Sequence, residues 1–252
     1  MTPETEFVII RLEQTDSTNT YVREHFCELP DLALVTAKFQ TSGRGRLGRR
    51  WIAPPGVNLS GTVCFKSVTD GFHAGMICGT ALIKTVNELL PGVDFYLKWP
   101  NDLYYGKAKV AGMLGEGVLQ KGGIAGIAMG TGLNVNTSAA DLAAVGQAAT
   151  SLKLISNKEF NPDFVANLLA KYINECYIMY SNSVSEIFAL WRAANKLIGK
   201  NLAVTDAKGV RHEGLFKDVT SSGEMVLVCN TEEGTVEKIF NCGDVSVDKS
   251  SM

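Results

Sequence analysis

KWPNDLYYGKAKVAGMLGE, residues 98–116, joins an alternating segment to two glycine-rich apolar runs. Upstream, DFYLKW (94–99) alternates, so Phe95, Leu97 and Trp99 share one face of a strand while Tyr96 and Lys98 share the other. Pro100, Asn101 and Asp102 supply turn chemistry. Beyond them, KVAGMLGEG (109–117) and GIAGIAMGTGLNVN (123–136) read as two glycine-rich strands with a tight connection. Lys98 therefore projects away from the large apolar groups of its own strand.

Working outward, LALVTAKFQ (32–40) reads as a buried strand that delivers the chain into TSGRGRLGRRW (41–51), and NLSGTVCF (58–65) as the strand that leaves it. Asp16, Ser17 and Thr18 are helix-capping residue types, which predicts a short helix from about Asn19 to Cys27. After Asp70, the positions Met76, Gly79, Thr80, Ile83, Val86 and Leu90 mark one face of a long helix that ends at Pro91-Gly92. Asn161-Pro162-Asp163 caps another, with a stripe of Val165, Leu168, Leu169, Tyr172, Ile173 and Cys176. A further helix is expected over 184–198, on Ile187, Phe188, Trp191 and Ile198. Past that point short strands and turn residues alternate, which predicts a small β-barrel at 199–252 behind a larger α+β domain at 1–198.

Composition limits the partners. With 24 Lys+Arg against 26 Asp+Glu, the formal charge is -2, unlike the basic balance of a general nucleic-acid binder. Cys27, Cys64, Cys78, Cys176, Cys229 and Cys242 are scattered, so free thiols in a reducing cytoplasm are expected. His25, His73 and His212 are too dispersed for a metal signature, and no resident metal site is expected. No stretch has the apolar length of a membrane span.

The arginine cluster in 41–51 is thus local, and suits a small anionic ligand. Its glycines deny it a regular element of its own. GRGRLGRR (43–50) lacks the lysine-hydroxyl ending of a Walker A loop. GTGLN (130–134) is a G-x-G that a turn between strands explains as well as a dinucleotide site does. Each candidate has a plainer alternative: a solvated loop for the arginines, helix capping for Ser17 and Thr18, core packing for Trp51 and a strand-edge cation for Lys98.

DSTN (16–19), GRGRLGRRW (43–51) and KWPND (98–102), in this order, make the sequence resemble the biotin–protein ligases. The resemblance is strong from Ser17 to Asn134 and fainter beyond. It implies a catalytic domain related to class II aminoacyl-tRNA synthetases, with a mixed sheet and flanking helices, plus a Src-homology-3-like barrel. It also implies that Ser17, Thr18, Asn19, Gln40, Gly43, Arg44, Gly45, Arg46, Lys98 and Gly112 meet biotin, and that Arg44, Arg46, Trp51, Lys98 and Asn134 meet ATP. Lys98 and Arg46 are the implied catalytic groups. Leu47 departs from the pattern, where many relatives carry another basic residue.

The implied reaction is formation of biotinyl-5'-adenylate from biotin and ATP with Mg2+, then transfer to a lysine of a biotin carboxyl carrier domain. Cations and a closing loop suit it, because two anions must meet and the mixed anhydride must be kept from water. A lipoate or octanoate ligase is the nearest rival and a nucleic-acid-binding module a remoter one. Too little chain precedes Asp16 for a helix-turn-helix domain, so direct DNA binding is not expected, nor is a membrane partner; a homodimer remains open.

Overall fold

The structure, a computed structural model, describes residues 7–206, 208–231, 234–241 and 243–247. Its larger sheet contains β1 (Ile9–Thr15), β2 (Leu34–Gln40), β3 (Leu59–Phe65), β4 (Phe95–Lys98), β5 (Asp102–Tyr105), β6 (Ala108–Gln120) and β7 (Gly123–Leu133). They run in the order β1-β2-β3-β7-β6-β5-β4. β1 and β2 are parallel and the remaining neighbours antiparallel, which makes the sheet mixed. The alternation of 94–99 is realised as read: Phe95, Leu97 and Trp99 are buried, and Tyr96 and Lys98 only partly so.

One face of this sheet is covered by α2 (Gly71–Leu89), which packs in turn on α5 (Pro162–Asn182) and α6 (Val184–Ala194). Asp70 caps α2 by accepting from the backbone N–H groups of Phe72 and His73, at 2.8 and 3.0 Å. Because α2 is enclosed by sheet and helices, it buries more than the expected stripe: Ile77, Cys78, Ala81 and Leu82 are also fully buried. α6 stops at Ala194 and not at Ile198, since the chain must turn through Gly199, at φ +83°, to start the next strand. The opposite face receives α1 (Thr18–Glu24), shorter than expected and without a side-chain cap from Ser17. The short α3 (Ala139–Ala143) and α4 (Leu152–Ser156), like β1 and β5, carry no clear sequence signal. Asp102, read as a turn residue, already opens β5.

The five C-terminal strands are β8 (Asn201–Thr205), β9 (Arg211–Val219), β10 (Met225–Thr231), β11 (Gly234–Phe240) and β12 (Asp244–Val247). They form a separate antiparallel sheet in the order β11-β10-β9-β8-β12, in the place expected for the small barrel. Phe216, Met225 and Leu227 are fully buried on it. Among the contacts that tie it to the rest, Trp99 Nε1 donates to the Gly223 carbonyl at 2.9 Å, and the Arg192 guanidinium forks onto both Asp218 oxygens at 2.6 and 2.8 Å.

Cys27, Cys64, Cys78, Cys176 and Cys229 are all free thiols; Cys242 lies outside the described residues. Burial pushes the Cys64 and Cys176 thiols up to about 11 and Cys78 further still. The thiolate is the reactive form. In the native protein at pH 8, a thiol reagent followed by peptide mapping should therefore modify exposed Cys27 promptly and leave Cys64, Cys78 and Cys176 unmodified until denaturant is added. Early labelling of Cys78 would contradict this packing.

Candidate functional site

Strand register builds a continuous row across five strands. Lys98 on β4 pairs with Asp102 on β5, Asp102 with Gly112 on β6, Gly112 with Gly132 on β7, and Gly132 with Ser60 on β3. Directly paired residues point to the same side of a sheet. Two glycines at the centre of the row leave bare backbone, and a cavity of about 240 Å³ opens over it.

Lys109 joins this row through a defect in the pairing. By simple alternation, a residue three positions before Gly112 faces the other side, toward α2. The β5–β6 register shifts between Leu103 and Tyr104, so that Ala111 opposes Leu103 while Lys109 opposes Tyr104. The extra residue is Val110, and the bulge turns the Lys109 side chain to the cavity side. Its Nζ lies 2.7 Å from Asp102 Oδ1, with 15% of the side chain exposed. A Cβ added at Gly112 would come within 2.8 Å of that ammonium. Lys98 sits beside them with its Nζ 4.6 Å from the centre of the Tyr104 ring.

The glycine-arginine segment is more ordered than its composition suggests. Arg44 and Arg50 form a β-bridge, the Gly45 N–H donates to Arg49 O at 2.7 Å, and the Trp51 N–H to Gly43 O at 2.9 Å. A 3-10 turn at Arg46–Gly48 closes the hairpin, with Leu47 in the left-handed region at φ +55° and its side chain exposed. Arg46 donates to Asn101 Oδ1 at 2.9 Å, and Asn101 donates in turn to the Met113 carbonyl. Arg44 is engaged instead at the rim of the cavity, by Thr20 and Glu116.

On the other side of the cavity, Gln40 Oε1 accepts from the Thr18 backbone N–H at 2.8 Å and stands 3.1 Å from the Thr18 hydroxyl. This fixes the orientation of the amide, whose Nε2 lies beside Gly43, 3.3 Å from where a Cβ would stand there. Asn19 is held by the protein: its Nδ2 donates to Leu114 O and Glu116 Oε2, and its Oδ1 accepts from Thr62 Oγ1. Gly130 lies directly beneath it, where a Cβ would fall 2.2 Å from Asn19 Oδ1.

Ten of the residues singled out from sequence border this one cavity. Ser17, Thr18, Asn19 and Gln40 form one wall, Arg44, Gly45, Arg46 and Trp51 the loop side, and Lys98 and Gly112 the sheet. Gly43 and Asn134 stand behind it. Gly43 is buried under Trp51, whose carbonyl a Cβ there would meet at 2.5 Å. Asn134 is buried with its amide donating to the Thr150 carbonyl at 3.1 Å. GTGLN is no turn, since Gly130 to Leu133 lie inside β7. The C-terminal sheet also reaches the cavity through Gly243 and Val245. Lys109, Glu116 and Thr62 were not anticipated.

The profile of the biotin/lipoate A/B protein ligase family matches residues 12–134, the stretch that holds every one of these predicted positions. The bifunctional ligase/repressor BirA of Escherichia coli is 32% identical over 238 residues, covering 92% of this chain and 71% of that protein. The chain belongs to the biotin–protein ligase family. The biotin–[acetyl-CoA-carboxylase] ligase of Paracoccus denitrificans is 29% identical over 224 residues, 86% of this chain and 92% of its own. In fold, the chain is similar to the biotin protein ligase from Aquifex aeolicus solved with biotin and ATP. The TM-score is 0.78 at 24% identity, over 96% of this chain and 99% of that one.

Trp51 packs on the Gly132 backbone, its Nε1–H buried and, among the described residues, donating to nothing. A Cβ at Gly132 would fall 2.3 Å from Trp51 Cε2, closer than carbon atoms approach without displacement. Gly132→Ala should therefore lift the indole off the sheet. Acrylamide quenching of tryptophan emission should rise in this variant and stay unchanged when Trp51→Phe is already present. Unaltered quenching in the single variant would mean that Trp51 does not rest on Gly132.

Proposed function

We propose that the chain uses its cavity to activate biotin as biotinyl-5'-adenylate at the expense of ATP, and then passes the biotinyl group to a lysine of a biotin carboxyl carrier domain. The observation that carries this reading is the junction, in one cavity, of an oriented amide-hydroxyl wall with a cluster of cations. The Thr18–Gln40 wall suits a neutral, polar ring such as biotin's ureido group. Arg46, Lys98 and Lys109 suit the carboxylate and phosphates. Trp51, a flat aromatic surface over bare backbone, suits an adenine.

In the first step a carboxylate oxygen of biotin attacks the α-phosphorus of ATP and pyrophosphate leaves. Two anions approach one another, and negative charge gathers on the phosphoryl oxygens. Lys109 is held by Asp102 at the sheet surface, so its charge is in position before substrate arrives and needs little reorganisation. Arg46, at the tip of the 3-10 turn, adds donors from above. In the second step the carrier's lysine amine attacks the acyl carbonyl and AMP leaves. The loop over the cavity limits water while the anhydride waits.

Mg2+ fits as a companion of the nucleotide. Asp102 is the acidic side chain bordering the cavity, and it is paired with Lys109. Among the described residues no group of three His, Cys, Asp or Glu gathers to hold a metal. Magnesium carried chiefly by phosphate oxygens, with one carboxylate at hand, is its usual mode with nucleotides.

The division of the chain after residue 198 belongs to the same reading, with 199–252 as a small domain that walls one side of the cavity. Among the described residues no helix is long and apolar enough to cross a membrane. Five free cysteines agree with a reducing compartment, and we place the enzyme in the cytoplasm.

Two measurements test the proposal. Pyrophosphate exchange into ATP should be supported by biotin and not by lipoate, octanoate or amino acids, and addition of a carrier domain should then yield biotin on one lysine. Exchange with lipoate alone would transfer the chain to the lipoate-ligase side of its family. Within the same assay, Lys109→Ala should lower exchange by about 100-fold, the scale of losing one preorganised electrostatic donor. Lys98→Ala should lower it less, because its ammonium leans on Tyr104. A Lys109→Ala variant with an unchanged melting curve and normal exchange would remove Lys109 from the chemistry.

A further inference from the structure

We propose that Glu116 is a positioning residue: its carboxylate fixes Arg44 at the rim of the cavity and links the glycine-arginine segment to the wall built by Thr18, Asn19 and Gln40. The ligand-dependent half of this inference rests on the function proposed above; the clamp itself does not.

Glu116 lies on β6 two residues beyond Leu114 and four beyond Gly112, on the cavity face of the strand. Its side chain is 25% exposed. The carboxylate collects three partners from two separate segments. Arg44 Nη2 donates to Oε2 at 3.1 Å and lies 3.4 Å from Oε1; Asn19 Nδ2 donates to Oε2 at 2.9 Å; Arg23 Nη1 stands 3.8 Å from Oε1. Arg44 is gripped from its other side as well, where Nη1 donates to Thr20 Oγ1 at 2.9 Å. Both ends of its guanidinium are thus engaged by α1 and β6, while Arg46, two residues along, reaches Asn101 beside the cavity. Two arginines of one motif have separate tasks.

The contacts continue inward. Asn19 Oδ1 accepts from Thr62 Oγ1 at 2.6 Å, and that fully buried hydroxyl is 2.7 Å from Thr18 Oγ1, which adjoins Gln40. A continuous polar chain therefore runs from Gln40 through Thr18, Thr62, Asn19 and Glu116 to Arg44. Within it Glu116 is the one acid, and it faces three cationic or donor groups at once. A neutral amide there would offer a single acceptor oxygen and no charge to offset Arg44 against Arg23. Without that carboxylate, the base of the loop hairpin loses its anchor to β6 and keeps only the Thr20 contact to α1, and Asn19 loses one of the three partners that fix its amide. Movement of the ligand wall and movement of the loop are coupled through this one group.

The test uses the full chain and begins without ligand. Hydrogen exchange by mass spectrometry over peptides spanning 43–51 would be compared for wild type, Glu116→Gln, Arg44→Ala and the double variant. The Gly45 and Trp51 amides, both hydrogen-bonded within the hairpin, should exchange about 5-fold faster in either single variant, the scale of one partly exposed charged pair. The double variant should exchange no faster than the singles, because each removes the same contact. Glu116→Asp, shorter but ionised, should recover part of the protection. Amides of β7 should be unaffected, which separates a local clamp from general loosening. Additive effects of the two substitutions, or wild-type exchange in Glu116→Gln, would overturn the clamp.

A second arm reads the coupling. In pyrophosphate exchange, Glu116→Gln should raise the KM for biotin by a larger factor than it lowers kcat, with partial rescue by Glu116→Asp. A fall in kcat alone would overturn the link to the ligand wall. If biotin fails to support exchange even in wild type, the functional reading falls, while the hydrogen-exchange result still decides the clamp.

Discussion

A single extra residue, Val110, decides on which face of the sheet Lys109 stands. Strand alternation is strict, and without the register shift Lys109 would aim its ammonium into the apolar layer beneath α2, where it would be neutralised or would unfold its surroundings. The bulge reverses that outcome for Lys109 and leaves Ala111 and Met113, further along β6, in the core. It also delivers Lys109 to Asp102, whose own place is fixed by pairing with both Lys98 and Gly112. Charge, carboxylate and bare backbone are thereby set side by side by hydrogen-bonded register, a firmer support than a loop gives.

The glycines of β6 and β7 follow from the same constraint. Glycine weakens a strand interior through backbone entropy and lost packing. Here the cost falls on strands paired on both sides near the middle of a seven-stranded sheet, where the ladder can sustain it. What is gained is close approach: Asn19 lies on Gly130, Trp51 on Gly132 and Lys109 on Gly112. Two segments remote from these strands in sequence, and Lys109 of β6 itself, meet over backbone that has no side chains at these positions to hold them off. The near-neutral balance of the chain has a local counterpart, since Glu116 faces Arg44 and Asp102 faces Lys109. Such pairing limits the long-range positive field that a polyanion would seek.

What the sequence made legible was whatever depends on short-range periodicity. The 94–99 alternation, the helix that follows Asp70, the Asn161 cap and the two glycine-rich strands all appear where local pattern placed them, because burial on one side enforces that pattern. β1 was not legible: IIRLEQT is half polar, and its place at the sheet edge asks little apolar surface of it. Lys109 was not legible for a sharper reason, since counting by twos from Gly112 places it on the wrong face and only the pairing partner reveals the shift. Glu116 looked like an ordinary strand carboxylate until Asn19 and Arg44 were brought to it from segments 97 and 72 residues away. Asn134 shows the converse, as a motif residue whose side chain is taken up by the neighbouring Thr150 carbonyl. Motifs located the segments that meet at the cavity; pairing register and long-range contacts set the neighbours of each side chain within them.

The C-terminal sheet extends this logic beyond the larger unit. Trp99 is buried in the core next to Lys98, and its indole N–H has an acceptor only because the turn at Gly223 approaches it. Buried indole donors without partners are costly, so the contact stabilises both the strand end that carries Lys98 and the placement of the C-terminal strands. Gly223, at φ +89°, has no room for a side chain, since a Cβ there would strike the Phe72 ring at 2.3 Å. Phe72 in turn meets Trp191 edge-on, at 5.1 Å between ring centres. The first turn of α2, the body of α6 and a turn of the small sheet are therefore joined in one run of contacts that ends at Trp99. Because Gly243 and Val245 border the cavity from the same sheet, any displacement of that sheet acts on the cavity twice. It shifts a wall directly, and it removes the acceptor that seats the strand end beside Lys98.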